Sequence, residues 1–212
     1  MSALLCHDPG TNIPKTNEGF LYNDKGNELN SIGHRCKEIK EVLGETLQFP
    51  RYFLVLGDNA CLHMHKPVEE TWPYLLSKTI KHQYYNLAVS NTGLEGVKYN
   101  LFNWLHQYSK PKMIFICCEW ANSFLGADYE DEDTIDAVKR ADTVGYWKAR
   151  TRLFSALLSQ IDIPVYLILG PNDEPIAVSE VINTLELDHS DDANVAQIVS
   201  KSFLEAHKVL SP

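Results

Sequence analysis

The chain has 212 residues, enough for one well-buried domain and short for two. Its 44% hydrophobic content argues for a packed core rather than disorder. A formal net charge of -9 excludes a broad electrostatic surface for nucleic acid, which needs clustered Lys and Arg, and no apolar run reaches the length of a membrane helix.

Residues 1–26 carry Pro, Gly, Asn and Asp without periodicity and read as an extended arm laid on the surface. The first residues lack a basic region followed by a long apolar one, so no signal peptide is expected and the chain reads as cytoplasmic or virion-associated. From Glu28 to Leu43, the apolar Leu29, Ile32, Cys36, Ile39 and Leu43 recur at helical spacing and predict a helix despite Gly33. Arm and helix form an N-terminal unit, 1–46, packed on a domain of residues 47–212.

Residues 51–57 predict a buried strand, rich in aromatic and β-branched side chains and stopped by Gly57. A helix follows over Pro67–Lys81, then a strand over Tyr84–Val89 and a helix over Leu94–Tyr108. The third strand is Lys112–Cys118. An acidic loop, Asp128–Asp133, reads as solvated rather than cation-binding and leads into a helical stretch over 135–160. The fourth strand, Pro164–Leu169, ends at Gly170-Pro171, and the last helix covers Asp192–Val209. Strands alternating with helices predict a parallel sheet covered on both faces, a three-layer α/β/α sandwich.

Ligands of open parallel sheets sit outside the carboxyl ends of the strands. Four segments converge there: Gly57-Asp58-Asn59, Ser90-Asn91-Thr92-Gly93, Glu119-Trp120-Ala121-Asn122-Ser123 and Glu186-Leu187-Asp188-His189. Their order, with the phrase Glu69-Glu70-Thr71-Trp72-Pro73-Tyr74-Leu75-Leu76, resembles the SGNH (GDSL-type) hydrolases over residues 51–209, about three quarters of the chain. The phrase from Gly26 to Arg35 also resembles a lead-in seen in viral members of that group. The resemblance implies a flavodoxin-like sandwich and ester hydrolysis. It places Asn59 at the position of the nucleophilic Ser, and a carboxamide cannot attack an ester as a serine alkoxide does. It puts Asn91 at the oxyanion-hole Gly and Asn122 at the Asn that donates to the oxyanion. His189 stands at the general base, with Glu186 as its orienting carboxylate and Asp188 nearby.

Each position has a plainer reading. His189 also fits a helix-start His bonded among Asp188, Asp191 and Asp192, and Asn122 a loop Asn closing a turn. Asp58 reads as a carboxylate nucleophile, as a base for water or as the anchor of the turn. Trp120, at the edge of the third strand, is the Trp expected to touch a ligand, whereas Trp72 and Trp104 lie on predicted helices and read as packing. Cys61-Leu-His63-Met-His65 lacks a fourth ligand and reads as a cleft rim rather than a metal site. The five cysteines, Cys6, Cys36, Cys61, Cys117 and Cys118, lack paired spacing and read as reduced thiols.

The expected function is therefore an esterase fold with a degenerate site, weakly active or inactive, taking a small acyl or carbohydrate ester and needing no cofactor or metal. The alternative is a non-catalytic ligand-binding or structural protein, such as a homo-oligomer or a component of a viral assembly.

Overall fold

The computed structural model describes residues 4, 29–30, 34–44, 51–57, 59–62, 67–89, 93–117, 153–169, 182–186 and 192–209. At residues 59–60, 93, 95, 169, 182–186, 192 and 202–209 the description extends to the backbone alone.

Five strands form one parallel sheet: β1 (Tyr52–Gly57), β2 (Gln83–Asn86), β3 (Ile114–Cys117), β4 (Val165–Leu169) and β5 (Ile182–Glu186). Their order is β2-β1-β3-β4-β5, the doubly wound flavodoxin-like arrangement. The helices are α1 (Ile39–Leu43), α2 (Asn59–Leu62), α3 (Trp72–Ile80), α4 (Gly93–Gln107) and α5 (Asp192–Val209), with a further helical segment at 153–158.

The alternation of the strand side chains builds two cores. Tyr52, Leu54, Leu56, Ile114 and Ile116 meet Leu94, Leu101 and Trp104 of α4 and Phe154 and Leu158 of the 153–158 segment. Phe53, Val55, Phe115 and Ile168 meet Trp72, Leu76 and Ile80 of α3 and Val195 and Val199 of α5. Every residue of β1 is buried, as a strand covered on both faces requires. Trp72 and Trp104 are both fully buried, so they pack as their helical placement predicts. Trp104 also donates its indole N–H to the Tyr52 hydroxyl at 3.0 Å.

Four elements differ from the sequence prediction. The helix expected over 28–43 shrinks to α1, because the Asn30 side chain accepts the His34 N–H at 2.9 Å and the Asn30 N–H donates to the His34 carbonyl at 2.7 Å. That second bond runs opposite in sense to a helical one, so the turn displaces the helix. The helix expected over Pro67–Lys81 splits into a 3-10 turn, Val68–Glu70, and α3. Thr71 stands at the break, its hydroxyl donating to the Val68 carbonyl at 2.7 Å, and Pro lies in the first turn of α3. α3 ends on Lys81 in the left-handed region, φ 56°, a position usually given to glycine. α2 and β5 were not foreseen: α2 is one turn long, and β5 carries Asn, Thr and Glu rather than an apolar run. Of the long helix expected over 135–160, residues 135–152 lie outside the described residues, and 153–158 are helical.

Candidate functional site at the carboxyl edge of the sheet

The chain passes from β1 to β2 on one side of the sheet and returns to β3 on the other, so the strand order reverses between β1 and β3. Crevices at such a reversal hold the ligands of doubly wound proteins. Gly57 and Cys117 are partners in the register there, each the last residue of its strand. Gly57 has φ +151°, and a Cβ on it would lie 1.7 Å from the Cys117 carbonyl oxygen and 2.8 Å from the Cys61 sulfur. Only glycine lets the two backbones meet at this point.

α2 starts two residues beyond Gly57, so Asn59 is its first helical residue. One turn of helix has no stability of its own and needs partners for its terminal carbonyls. Two neighbours supply them, and a residue of α2 itself anchors the turn. Asn86, buried at the end of β2, donates from Nδ2 to the Cys61 carbonyl at 3.1 Å and accepts the Ala88 N–H at 3.0 Å. Arg35, buried in the lead-in, donates its guanidinium to the Leu62 carbonyl, and a cation suits a helix C-terminus. The Cys61 thiol reaches the Leu56 carbonyl at 3.3 Å and the Cys117 carbonyl at 3.1 Å. Cys61 is thus a fully buried anchor of the turn, not part of an open rim.

The lead-in is held to β2 by a second set of contacts. Asn30 Nδ2 donates to the Tyr85 hydroxyl at 3.0 Å and to the Lys37 carbonyl at 3.1 Å. His34 Nδ1 lies 3.1 Å from the same hydroxyl, with its ring edge-on to Tyr85. Burial pushes the Tyr85 hydroxyl up, and the bond from Asn30 partly opposes it. Burial likewise pushes the Cys36 thiol up to about 12, partly opposed by a backbone hydrogen bond at Asn86. Among the described residues Cys36, Cys61 and Cys117 are free thiols, and burial disfavours the Cys36 thiolate.

Beyond β2 the chain keeps running beside β1. Leu87 N–H donates to the Val55 carbonyl at 2.8 Å and Val89 N–H to the Gly57 carbonyl at 3.1 Å, while Asn100 of α4 holds the Leu87 carbonyl at 3.1 Å. The stretch leading to Ser90 and Asn91 is therefore delivered to Gly57. At the far end of the sheet Glu186 closes β5 opposite Leu169. Three strand spacings separate β5 from β1, about 14 Å.

Among the predicted site residues, then, the backbones of Asn59 and Glu186 stand at the carboxyl edge of one sheet. Asp58, Asn91, Trp120, Asn122 and His189 lie outside the described residues, as do His63, His65 and Cys118. Among the described residues no group of three or more His, Cys, Asp or Glu is placed to hold a metal ion. No helix among them is long and apolar enough to cross a membrane. Sequence reasoning assigned no role to Asn86, Arg35 or Asn30. The signal at Asn86 was a lone amide inside the otherwise apolar and aromatic stretch from Tyr84 to Val89.

No family model matches the sequence, and no curated protein matches it either. Solved structures do match. One is a carbohydrate esterase family 2 enzyme with a carbohydrate-binding domain from Corynascus thermopiles (Myceliophthora fergusii), at 11% identity and TM-score 0.50 over 74% of this chain and 67% of that one. A family two carbohydrate esterase from Clostridium thermocellum, in complex with cellohexaose, is 10% identical at TM-score 0.49, covering 76% of this chain and 66% of that one. A member of the lipolytic G-D-S-L family from Veillonella parvula is 15% identical at TM-score 0.39, covering 74% of each chain. This chain spans about two thirds of the length of the two carbohydrate esterases. With five parallel strands in the order β2-β1-β3-β4-β5 and the turn after β1 at the reversal of strand order, the fold of this chain is that of the SGNH (GDSL-type) hydrolases.

Proposed function

We propose that this chain is an SGNH hydrolase-like protein whose ester-cleaving site is degenerate, with weak esterase activity or none. One observation carries the reading: the first helical residue after β1, at the reversal of strand order, is Asn59 and not serine. An amide has no ionisable hydroxyl to form an acyl-enzyme, so the first covalent step of the triad mechanism has no nucleophile. The remaining groups support residual chemistry. His189, oriented by Glu186, would take a proton from water as that water adds to the ester carbon. Asn122 and the backbone at Asn91 would donate to the oxyanion, and the proton would pass to the departing alcohol. Asp58 anchors the turn in this reading, and Trp120 supplies a flat apolar contact for the ligand. The ligand class, a small acyl or carbohydrate ester, is taken from the carbohydrate esterase of similar fold.

The missing hydroxyl equally supports a non-catalytic reading, in which the same crevice binds a ligand or the protein serves in an assembly. The resemblance of the Gly26–Arg35 phrase to viral lead-ins supports a viral particle as that assembly. The test is 4-nitrophenyl acetate hydrolysis by the wild type, Asn59→Ser and His189→Ala. Little wild-type turnover and a gain in Asn59→Ser are expected. Robust wild-type turnover that disappears in His189→Ala would overturn the degenerate-site reading.

A further inference from the structure

We infer a second ligand site, for a small molecule bearing phosphate or sulfate groups, in a groove at the opposite end of the sheet. The groove encloses about 750 Å³, within the usual range for small-molecule sites. Arg51, just before β1, and Gln83, which opens β2, both line it, so it lies at the amino ends of the strands. The length of β1 puts it roughly 20 Å from the crevice at Gly57. The inference does not rest on the esterase reading.

The lining is unusual for a chain of net charge -9. Lys37, Arg51, Lys78 and Lys81 line the groove together with His82, against one carboxylate, Glu69. Ordinary helix electrostatics account for part of this. Lys78 and Lys81 stand at the C-terminal end of α3, where cations are favoured, and Lys78 also lies 4.8 Å from the centre of the Tyr74 ring. The same effect does not account for Lys37 or Arg51, which come from the lead-in and from the approach to β1. Among the described residues none of Lys37, Arg51 and Lys81 is in an ion pair.

Four cations drawn from three separate segments line one concavity and give it a positive potential that favours an anion. A guanidinium fork with several ammonium groups fits a tetrahedral, multiply charged oxyanion better than a single carboxylate. The exposure of these side chains makes the binding salt-sensitive.

The experiment is calorimetric titration of the full chain with pyrophosphate at constant ionic strength, balanced with chloride. One saturable site is expected, weakened roughly ten-fold or more in Lys37→Gln/Arg51→Gln. Lys201→Gln, exposed on α5 and not among the residues that line the groove, should leave it unchanged. Parallel titrations with inorganic phosphate and glucose 6-phosphate separate the sources. Tighter binding of the sugar phosphate supports a phosphorylated metabolite, and equal binding supports the free anion. Should the double variant fail to fold by circular dichroism, Lys81→Gln alone carries the test, with a loss of about three-fold. Heats no different from chloride, or an equal loss in Lys201→Gln, would overturn the inference.

Discussion

Gly57 and Cys117 are neighbours across β1 and β3 at a distance that leaves no room for a single methyl group. A Cβ on Gly57 would fall 1.7 Å from the Cys117 carbonyl oxygen, and the backbone φ of +151° is one that L side chains rarely adopt. Relief would require β1 and β3 to separate at the last pair of their register. Gly57→Ala is expected to cost about 3 kcal/mol or more. Urea denaturation followed by tryptophan fluorescence measures it, and a loss below about 1 kcal/mol would contradict the close approach.

Asn86 offers a finer test of how α2 is held. Its amide serves the Cys61 carbonyl and the Ala88 N–H at once, and the side chain is 3% exposed. Asn86→Ala strands one buried acceptor and one buried donor, for an expected loss of about 2–4 kcal/mol. Asn86→Asp keeps the acceptor for Ala88 but sets a carboxylate against the Cys61 carbonyl. It is expected to be at least as damaging at neutral pH and to recover as the pH falls and the carboxyl protonates. Urea midpoints at neutral and acidic pH separate the two variants.

Tyr85 ties the lead-in to β2 through one oxygen. Tyr85→Phe keeps the stacking on Trp104, whose ring centre lies 4.4 Å away, but removes the acceptor for Asn30. The expected cost is about 1–3 kcal/mol. Hydrogen exchange should report it first at the amides of residues 34–38 and only later in β1. Uniform deprotection of the whole sheet would mean that the lead-in is not a separate local unit.

Alkaline pH should unfold the protein early. The Cys36 thiol rises from 9.0 to about 12 on folding, chiefly through burial. Burial also raises the hydroxyls of Tyr52, Tyr84, Tyr85 and Tyr166 above 10.0. A raised acid binds more protons folded than unfolded, so stability is full below pH 9.0 and falls as the pH climbs towards 12. Urea midpoints should be level up to about pH 8.5 and decline beyond it, and Cys36→Ala should flatten the first part of the decline. A midpoint independent of pH up to about pH 10.5 would contradict this reading.

The sheet was legible wherever burial on both faces forces a continuous apolar run, as in Tyr52–Leu56, Ile114–Cys117 and Val165–Leu169. Ile182–Glu186 was not, because this end strand mixes Asn, Thr and Glu with its apolar residues and so resembles a loop. The lead-in misled for a different reason. Its helical spacing was genuine, yet an asparagine that bonds the backbone four residues on outweighs a weak periodicity. At the site, the turn after β1 could be placed from the strand and Gly57 alone. The parts played by Asn86 and Arg35 could not, since a side chain that serves the carbonyl of a residue 25 or 27 positions away leaves no local pattern.

Arg35 sits outside the parallel sheet yet closes the last carbonyl of the helix that Asn59 begins. A fragment cut just ahead of Arg51 would retain all five described strands and still lose the cation that finishes α2. Transplanting the crevice into another scaffold would therefore call for moving two pieces of sequence, the strand-turn and its distant brace, as one heritable unit.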